Sequence, residues 1–575
     1  MSSSSHAESA KTIARMPDAA MRPVLGWLPK DAVVRPWQGT GPREALARVA
    51  RAVYVVGLDG ALGYALGAPE GDIPLDFPSK GGFGAAARED ARPPATGFVA
   101  CAAACLLEHL GDPGFGRDHG VRYAYYGGSM ANAIASVEMV EALARHGFLG
   151  FFGAAGLPLA AVEAAIDRLS ASLKELPYGF NLIHSPNEPY LEAALADLYI
   201  RRRIHLIEAS AYLDLTLPVV RYRVHGIHRD ASGAIVTPNR VVAKVSRVEV
   251  ASKFLAPPPQ AFLEQLIDDG AITAEQAELA GQIPMAQDLT AEADSGGHTD
   301  NRPALTLLPT MLALAQRMQQ QHGYAQRVRV GLAGGISTPA SAAAAFSMGA
   351  AYIVTGSINQ ACIESGSSND VRLMLAETKQ ADITMAPAAD MFEMGVEVQV
   401  LKRGTMFAMR GAKLYELYKN YDTLDALPEV ERTKLEKTVF RAPLETVWAQ
   451  TRGFFLDRDP KQVTRAESDP KHKMALVFRS YLGQASGWAN AGLSERKIDY
   501  QIWCGPAMGA FNEWVRGTFL ADPCNRKVAV AGLNILYGAA VLMRCGMLRS
   551  QGVPVPSEAA HVVPLELDQL KEFLH

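Results

Sequence analysis

The run VRVGLAGGISTPASAAAAFSMGAAYIVTGS, residues Val328–Ser357, decides how this chain folds. It begins as a strand-like alternation, turns at Gly334-Gly335, continues through a helical stretch from Pro339 to Met348, and enters a second short apolar strand that ends in Thr355-Gly356-Ser357. Strand, glycine turn, helix, strand, glycine turn is the pattern of parallel pairing with a right-handed crossover. In a parallel barrel the loops after the last two strands commonly cradle a phosphate, because glycines let backbone N–H groups approach the anion. Gly334, Gly335, Ile336, Gly356 and Ser357 are therefore the candidate anion site. The plain alternative is a pair of tight strand-to-helix turns.

Upstream the same rhythm repeats from Arg122. Strands are predicted at RYAYYGG, FLGFFG, YGFNLI and IHLIEAS, with helices at Ala133 to His146, Pro158 to Lys174 and Glu188 to Ile200 between them. The stretch Pro218 to Val245 departs from it: VVRYRVHGIHRDASGAIV reads as a hairpin turning near Asp230 to Gly233, inserted at about 218–240 before the strand VVAKVS. A helix near Gln260 to Asp269, a strand at Asp288 to Ala293 and a helix from Ala304 to Gln320 follow. Eight strands in this alternation predict an α/β fold, a (β/α)₈ TIM-type barrel over residues 121–366.

The flanks differ. Residues 1–24 are polar and Ser-rich and read as a disordered tail; residues 25–120 read as an N-terminal accessory region, with a strand at Ala52 to Leu58 and a small-residue helix at Gly97 to Leu110. On that helix Cys101, Cys105 and His109 would share a face, but a metal needs further converging ligands and none is predicted. Residues 367–575, including DMFEMGVEVQVLKRGTMFAMRGAKLYELYKNYDTL, read as almost wholly helical, a cap or dimerisation region. The longest apolar run, Val528 to Met543, is shorter than the ~20 residues of a membrane span and reads as a buried helix.

Composition narrows the function. With 575 residues, 49% hydrophobic and 20% charged, and a net charge of -4, nothing favours nucleic acid or an anionic membrane as partner. Six scattered cysteines without a C-x-x-C pair or a secretory leader suggest the cytoplasm and no disulfides.

Chemistry concentrates at strand ends. DLTAEADSGGHTDNRP puts His298 just past a strand in small, flexible residues, where a barrel's reacting groups gather; it is the candidate catalytic residue. After the first strand, Gly128, Ser129, Met130 and Ala131 would let backbone border a flat ring such as an isoalloxazine, or simply make a turn. Asn181 and Lys244 are polar residues inside apolar strands and need buried partners, whether ring edges of a flavin or structural hydrogen bonds.

GGSMA, GFNLI, the tetrad Ser295-Gly296-Gly297-His298, AGGI and TGS together resemble the flavin-dependent enoyl-acyl carrier protein reductases and nitronate monooxygenases, whose usual A-G-G-H is here S-G-G-H. Over nearly the full length, through KVSRVEVASKFLAPPP, ADSGGHTDNRP, MAPAADMFEMGVEVQVLKRGTMFAMRGAKLYELY and GPAMGAFNEWV, the chain resembles the PfaD family. These are trans-acting enoyl reductases of polyunsaturated fatty acid and polyketide synthases. The resemblance implies FMN held by the residues named above together with Gly296 and Gly297, and a reduced nicotinamide donor, NADPH or alternatively NADH. It also implies an enoyl thioester on an acyl carrier protein as substrate and synthase modules as partners, while the large apolar helical region suggests a homodimer.

Within that reading Met391, Phe392, Met394, Met406, Phe407 and Met409 would wall an acyl channel or else pack a core. Lys402, Arg403, Arg410 and Lys413 would meet an acidic carrier protein or cofactor phosphates, or form a solvated face. Three rivals stand beside it: a nitronate monooxygenase, a nucleotide dehydrogenase of the inosine monophosphate type using Cys362 as nucleophile, and a non-catalytic synthase scaffold.

Overall fold

The computed structural model describes residues 25–28, 32–58, 61–67, 97–184 and 189–574; the predicted tail at 1–24 lies outside them. The chain divides into two units, one comprising residues 1–106, 540–562 and 568–575, the other 107–539 and 563–567. The expected boundaries at 120 and 366 are therefore not boundaries of compact units: the cap region up to 539 belongs with the barrel, and the last residues belong with the N-terminal part.

In the smaller unit a five-stranded antiparallel sheet runs in the order Gly26–Trp27, Gly97–Ala102, Val53–Leu58, Ala61–Leu66, Arg35–Pro36. The predicted strand at 52–58 is present, whereas the predicted helix at 97–110 is a strand followed by one 3-10 turn, Leu107–His109. The reason is alternation: Phe98, Ala100 and Ala102 face inward at every second position, which suits a sheet face and not a helical stripe. Cys101 and Cys105 thus share no helix. Arg544 is fully buried and donates to the carbonyls of Leu46 (2.6 Å), Arg48 (2.9 Å) and Arg51 (2.5 Å), satisfying acceptors at and beyond the end of the helix Gly41–Ala47.

The larger unit is built on a closed barrel of eight parallel strands. In chain order these are β1 (Tyr125–Gly127), β2 (Leu149–Phe152), β3 (Gly179–Ile183), β4 (Leu206–Ser210), β5 (Arg240–Val245), β6 (Asp288–Glu292), β7 (Arg329–Ala333) and β8 (Ile353–Thr355). β8 pairs with β1 and closes the ring. Near its N-terminal end the Asp288 carboxylate takes Arg329 Nε at 2.6 Å and His119 Nε2 at 2.8 Å, all three buried. In the interior Tyr126, Thr290 and Tyr352 hydroxyls link across strands at 2.9 Å each, and Tyr126 also donates to Glu208 at 3.1 Å.

The insertion before β5 is half as expected. Residues Leu217–Val224 form a helix, and only His228–Arg229 and Ile235–Val236 pair as a hairpin, closed by Asp230, whose carboxylate accepts from the backbone N–H groups of Ser232 and Ala234. The helical prediction beyond 366 also needs correction. Ile383–Pro387 and Glu397–Leu401 are strands, and with Gly297–His298 they make a three-stranded antiparallel sheet. The alternation in VEVQVL, with Val398 and Val400 buried, outweighs its Met- and charge-rich surroundings. Helices then dominate: Phe407–Asn420, Leu444–Arg458 and Pro470–Ala491 share a core with Phe392 and Phe440, to which Pro470–Ala491 contributes Phe478 and Tyr481, and Pro460–Ser468 packs against the last two of these helices. The apolar run near the end forms the helix Val528–Ser550, 23 residues and so long enough to cross a membrane, with 89% of its most apolar window buried inside the protein.

Candidate active site at the barrel mouth

A cavity of about 780 Å³ opens at the C-terminal ends of the strands, within the ~300–1,000 Å³ usual for small-molecule sites. Every predicted site residue lines it: Gly128, Ser129, Met130 and Ala131 after β1, Asn181 on β3, Lys244 on β5, Gly296, Gly297 and His298 after β6, Gly334, Gly335 and Ile336 after β7, and Gly356 and Ser357 after β8.

The glycine loops are shaped by close approach on one side and left open on the other. Gly334 has φ +83°, and a Cβ there would lie 2.5 Å from the Ala293 carbonyl, so only glycine lets β7 pass the β6 loop. Beside Gly335 and Gly356 the corresponding space is empty to 4 Å, and both face the cavity. Ser357 Oγ accepts the Gly505 N–H at 3.0 Å, which leaves its own hydroxyl proton for an anion. Ser295 Oγ, on the cavity wall, is buried without a partner among the described residues. Two glycine loops with open space beside Gly335 and Gly356 and with the hydroxyls of Ser295 and Ser357 at hand have the room and the donors that a phosphate-bearing cofactor would need.

Lys244 lies between two carboxylates that sequence reasoning missed, Glu208 on β4 at 3.8 Å and Glu292 on β6 at 3.4 Å. Burial alone would lower the lysine's pKa, but the two carboxylates outweigh it and raise it above the ordinary value. The pKa of Glu292 is raised as well, chiefly by burial and despite Lys244. Glu208 is fully buried and also accepts the Ser129 hydroxyl and its backbone N–H (3.1 Å), tying the loop after β1 to the lysine. Asn181 is satisfied internally: its amide donates to the Glu208 carbonyl (3.1 Å) and Ser210 Oγ (2.9 Å), so the structural hydrogen bonds expected of it are present.

His298 Nε2 lies 3.2 Å from Asp390 Oδ1, and both residues line the cavity. Burial disfavours the imidazolium, yet the Asp390 bond and charge, helped by Glu292 and opposed by Lys244, raise its pKa above the ordinary histidine value. Asp390 is shifted down: burial works against its charge, and the bond to His298 outweighs burial. Sequence reasoning misses Asp390 because it takes the strands on either side, Ile383–Pro387 and Glu397–Leu401, for helix; their alternation is the signal that could have found it.

The mouth is walled differently from expectation. None of Met391, Phe392, Met394, Met406, Phe407 and Met409 lines the cavity; Phe392 and Phe407 are in the core and Met394 and Met409 are exposed to solvent. The wall comes instead from Val447, Phe454 and Phe455 on the helix Leu444–Arg458, with Arg479 and Gln484 from Pro470–Ala491. Arg403, Arg410 and Lys413 are held by Glu377, Asp499 and the pair Glu416 and Glu431. Cys362 is buried outside the cavity, its thiol pushed up by burial, which removes the nucleophile of the nucleotide-dehydrogenase reading.

Residues 120–416, the barrel and the strands that follow it, match the family model described as nitronate monooxygenase. Residues 421–500 match the model described as acyl-carrier-protein S-malonyltransferase, inserted helical domain. The enoyl reductase domain of MlnA from the macrolactin biosynthesis cluster of Bacillus amyloliquefaciens is 40% identical, with a TM-score of 0.73 covering 77% of this chain and 100% of that one. A polyunsaturated fatty acid synthase polypeptide of a Thraustochytrium species is 48% identical over 466 residues, and polyketide biosynthesis protein PksE of Bacillus subtilis 43% over 442. These matches cover 79% and 77% of this chain but only 31% and 57% of the relatives. The chain belongs to the PfaD-type enoyl reductase family.

Proposed function

We propose that this chain is a trans-acting reductase of the 2,3-double bond of an enoyl thioester carried on an acyl carrier protein, using FMN and NADPH in polyketide or polyunsaturated fatty acid synthesis. The observation that carries this reading is the cavity in which the two glycine loops, Lys244 and the His298–Asp390 pair converge. When bound, FMN supplies the two-electron chemistry that links a reduced nicotinamide to the β-carbon. Gly334, Gly335, Ile336, Gly356 and Ser357 would hold its phosphate, and Gly128 to Ala131, Asn181, Lys244, Gly296 and Gly297 would border its ring.

The protein's own part is positioning and proton supply. Lys244, kept protonated by Glu208 and Glu292, presents a fixed cation at the cavity floor. His298, whose protonated form is favoured by the Asp390 bond and charge, would supply a proton to the α-carbon or the thioester carbonyl. Val447, Phe454 and Phe455 offer apolar surface to the acyl chain at the mouth. Carrier protein, synthase modules and a second copy of the chain are the partners this reading calls for.

The match to a nitronate monooxygenase model keeps one second reading open, oxygen-dependent oxidation of a nitroalkane in the same cavity. One experiment separates them: purify the chain, record flavin absorbance, follow anaerobic NADPH oxidation with a crotonyl thioester, then offer a nitroalkane in air. Flavin and anaerobic thioester turnover are expected. Turnover only with the nitroalkane selects the second reading, and a protein that neither holds nor takes up flavin overturns both.

A further inference from the structure

We propose, resting on the reductase reading above, that Asp390 is the positioning residue of His298, engaging Nε2 so that Nδ1 is the nitrogen that faces the substrate and delivers the proton.

The geometry is set by the fold, not by a chance meeting of two loops. His298 belongs to the short strand Gly297–His298, which pairs with Glu397–Leu401 in the register Gly297 to Gln399 and His298 to Val398. Asp390 stands on the connection between that partner strand and Ile383–Pro387, so one sheet fixes both backbones. Arg479 Nε donates to the Ala389 carbonyl at 2.7 Å and holds the connection from the neighbouring helix. Asp390 Oδ1 also accepts the Met391 N–H at 3.1 Å, which orients the carboxylate toward the imidazole.

With Nε2 so engaged, His298 Nδ1 has no hydrogen-bond partner among the described residues, on a ring that lines the cavity. His472 shows the contrasting arrangement: it is buried, and both ring nitrogens are occupied, by Glu393 at 2.9 Å and Gln462 at 2.9 Å. A histidine kept only for packing is satisfied in that way. His298 is satisfied on one side and presented on the other.

The proton balance follows. The imidazolium carries hydrogens on both nitrogens, with Nε2–H donating to Asp390. After hydride reaches the β-carbon, the Nδ1–H bond breaks, a C–H bond forms at the α-carbon, and the ring is left neutral as the Nε2–H tautomer with its Asp390 bond intact. Solvent reprotonates Nδ1 before the next turnover. The charged groups around the ring are Asp390 and Glu292, which favour its protonation, and Lys244, which opposes it; Arg479 acts on Asp390.

The test reads the ring directly in the full chain. With ¹⁵N-labelled histidine and assignment from His298→Gln, NMR titration of the wild type is expected to give a midpoint above the ~6.5 of a free histidine and a neutral form protonated at Nε2. Asp390→Asn is expected to lower that midpoint by about one unit or more, Asp390→Glu to restore part of it, and the alkaline limb of kcat/KM with a crotonyl thioester to move in parallel. A neutral ring protonated at Nδ1 in the wild type, or an unchanged midpoint in Asp390→Asn, overturns the proposal. The wild-type tautomer decides it even if the variants fail to fold. Thioester inactivity with the expected titration would sink the reductase reading alone, and turnover with an unshifted titration would sink this one alone.

Discussion

Gly296 packs so closely on Cys504 that an added Cβ would lie 2.9 Å from that residue's backbone N and C. The loop carrying His298 is thus braced by the segment before the helix Ala507–Trp514, and Gly505 from the same segment reaches Ser357 in the loop after β8. Two loops at the barrel mouth are joined by residues far downstream in the chain.

Gly296→Ala is therefore expected to push these segments apart, at a cost of about 1–3 kcal/mol as in other overpacked sites. The purified variant should melt at a lower temperature and retain less flavin than the wild type. Full flavin content with an unchanged melting curve would show that the packing yields freely.

Removing the imidazole tests the role of His298. His298→Ala should keep its flavin, because the glycine loops are untouched, and lose about 10²–10⁴-fold in thioester reduction, the usual worth of a positioned acid. Stopped-flow reduction by NADPH should proceed nearly as before, and full thioester turnover would remove His298 from the mechanism.

At the opposite end of the barrel, Asp288 holds its charge against burial through His119 and Arg329, and its carboxyl lies well below the usual range. A carboxylate depressed in the folded state stabilises fully above its unfolded pKa of ~4, and that contribution is lost as pH falls below it. Denaturant melts should therefore weaken progressively below about pH 4. Asp288→Asn at pH 7 leaves Arg329, among the described residues, with Asp118 as its one remaining carboxylate and is expected to cost about 3–5 kcal/mol, with the site's chemistry unaltered in whatever fraction folds.

The cap helix, and not the Met-rich segment, should set chain-length preference. Replacing both Phe454 and Phe455 by Ala is expected to raise KM for a long-chain enoyl thioester by about tenfold while leaving crotonyl turnover within about twofold, since the apolar surface these rings offer is reached only by the longer chain. Equal effects on both substrates would place the acyl chain elsewhere.

The sequence by itself determined the barrel and the loops that make its mouth. Strand and helix alternate there within windows of a few residues, and glycines such as Gly334 and Gly335 mark turns by their local conformation, so the signal is short-range and survives without a third dimension. The same locality explains what it missed. The alternation in VEVQVL and in Gly97–Ala102 spans only a few residues, and what completes these strands is pairing with distant chain, the strand of His298 about a hundred residues earlier and Val53–Leu58. Glu208, Glu292 and Asp390 carry no motif; each acquires its meaning from the cation or imidazole that distant backbone brings within hydrogen-bond or ion-pair reach. Strand periodicity is written into neighbours along the chain, whereas the partner of a buried charge is chosen by burial itself, which only the folded structure decides.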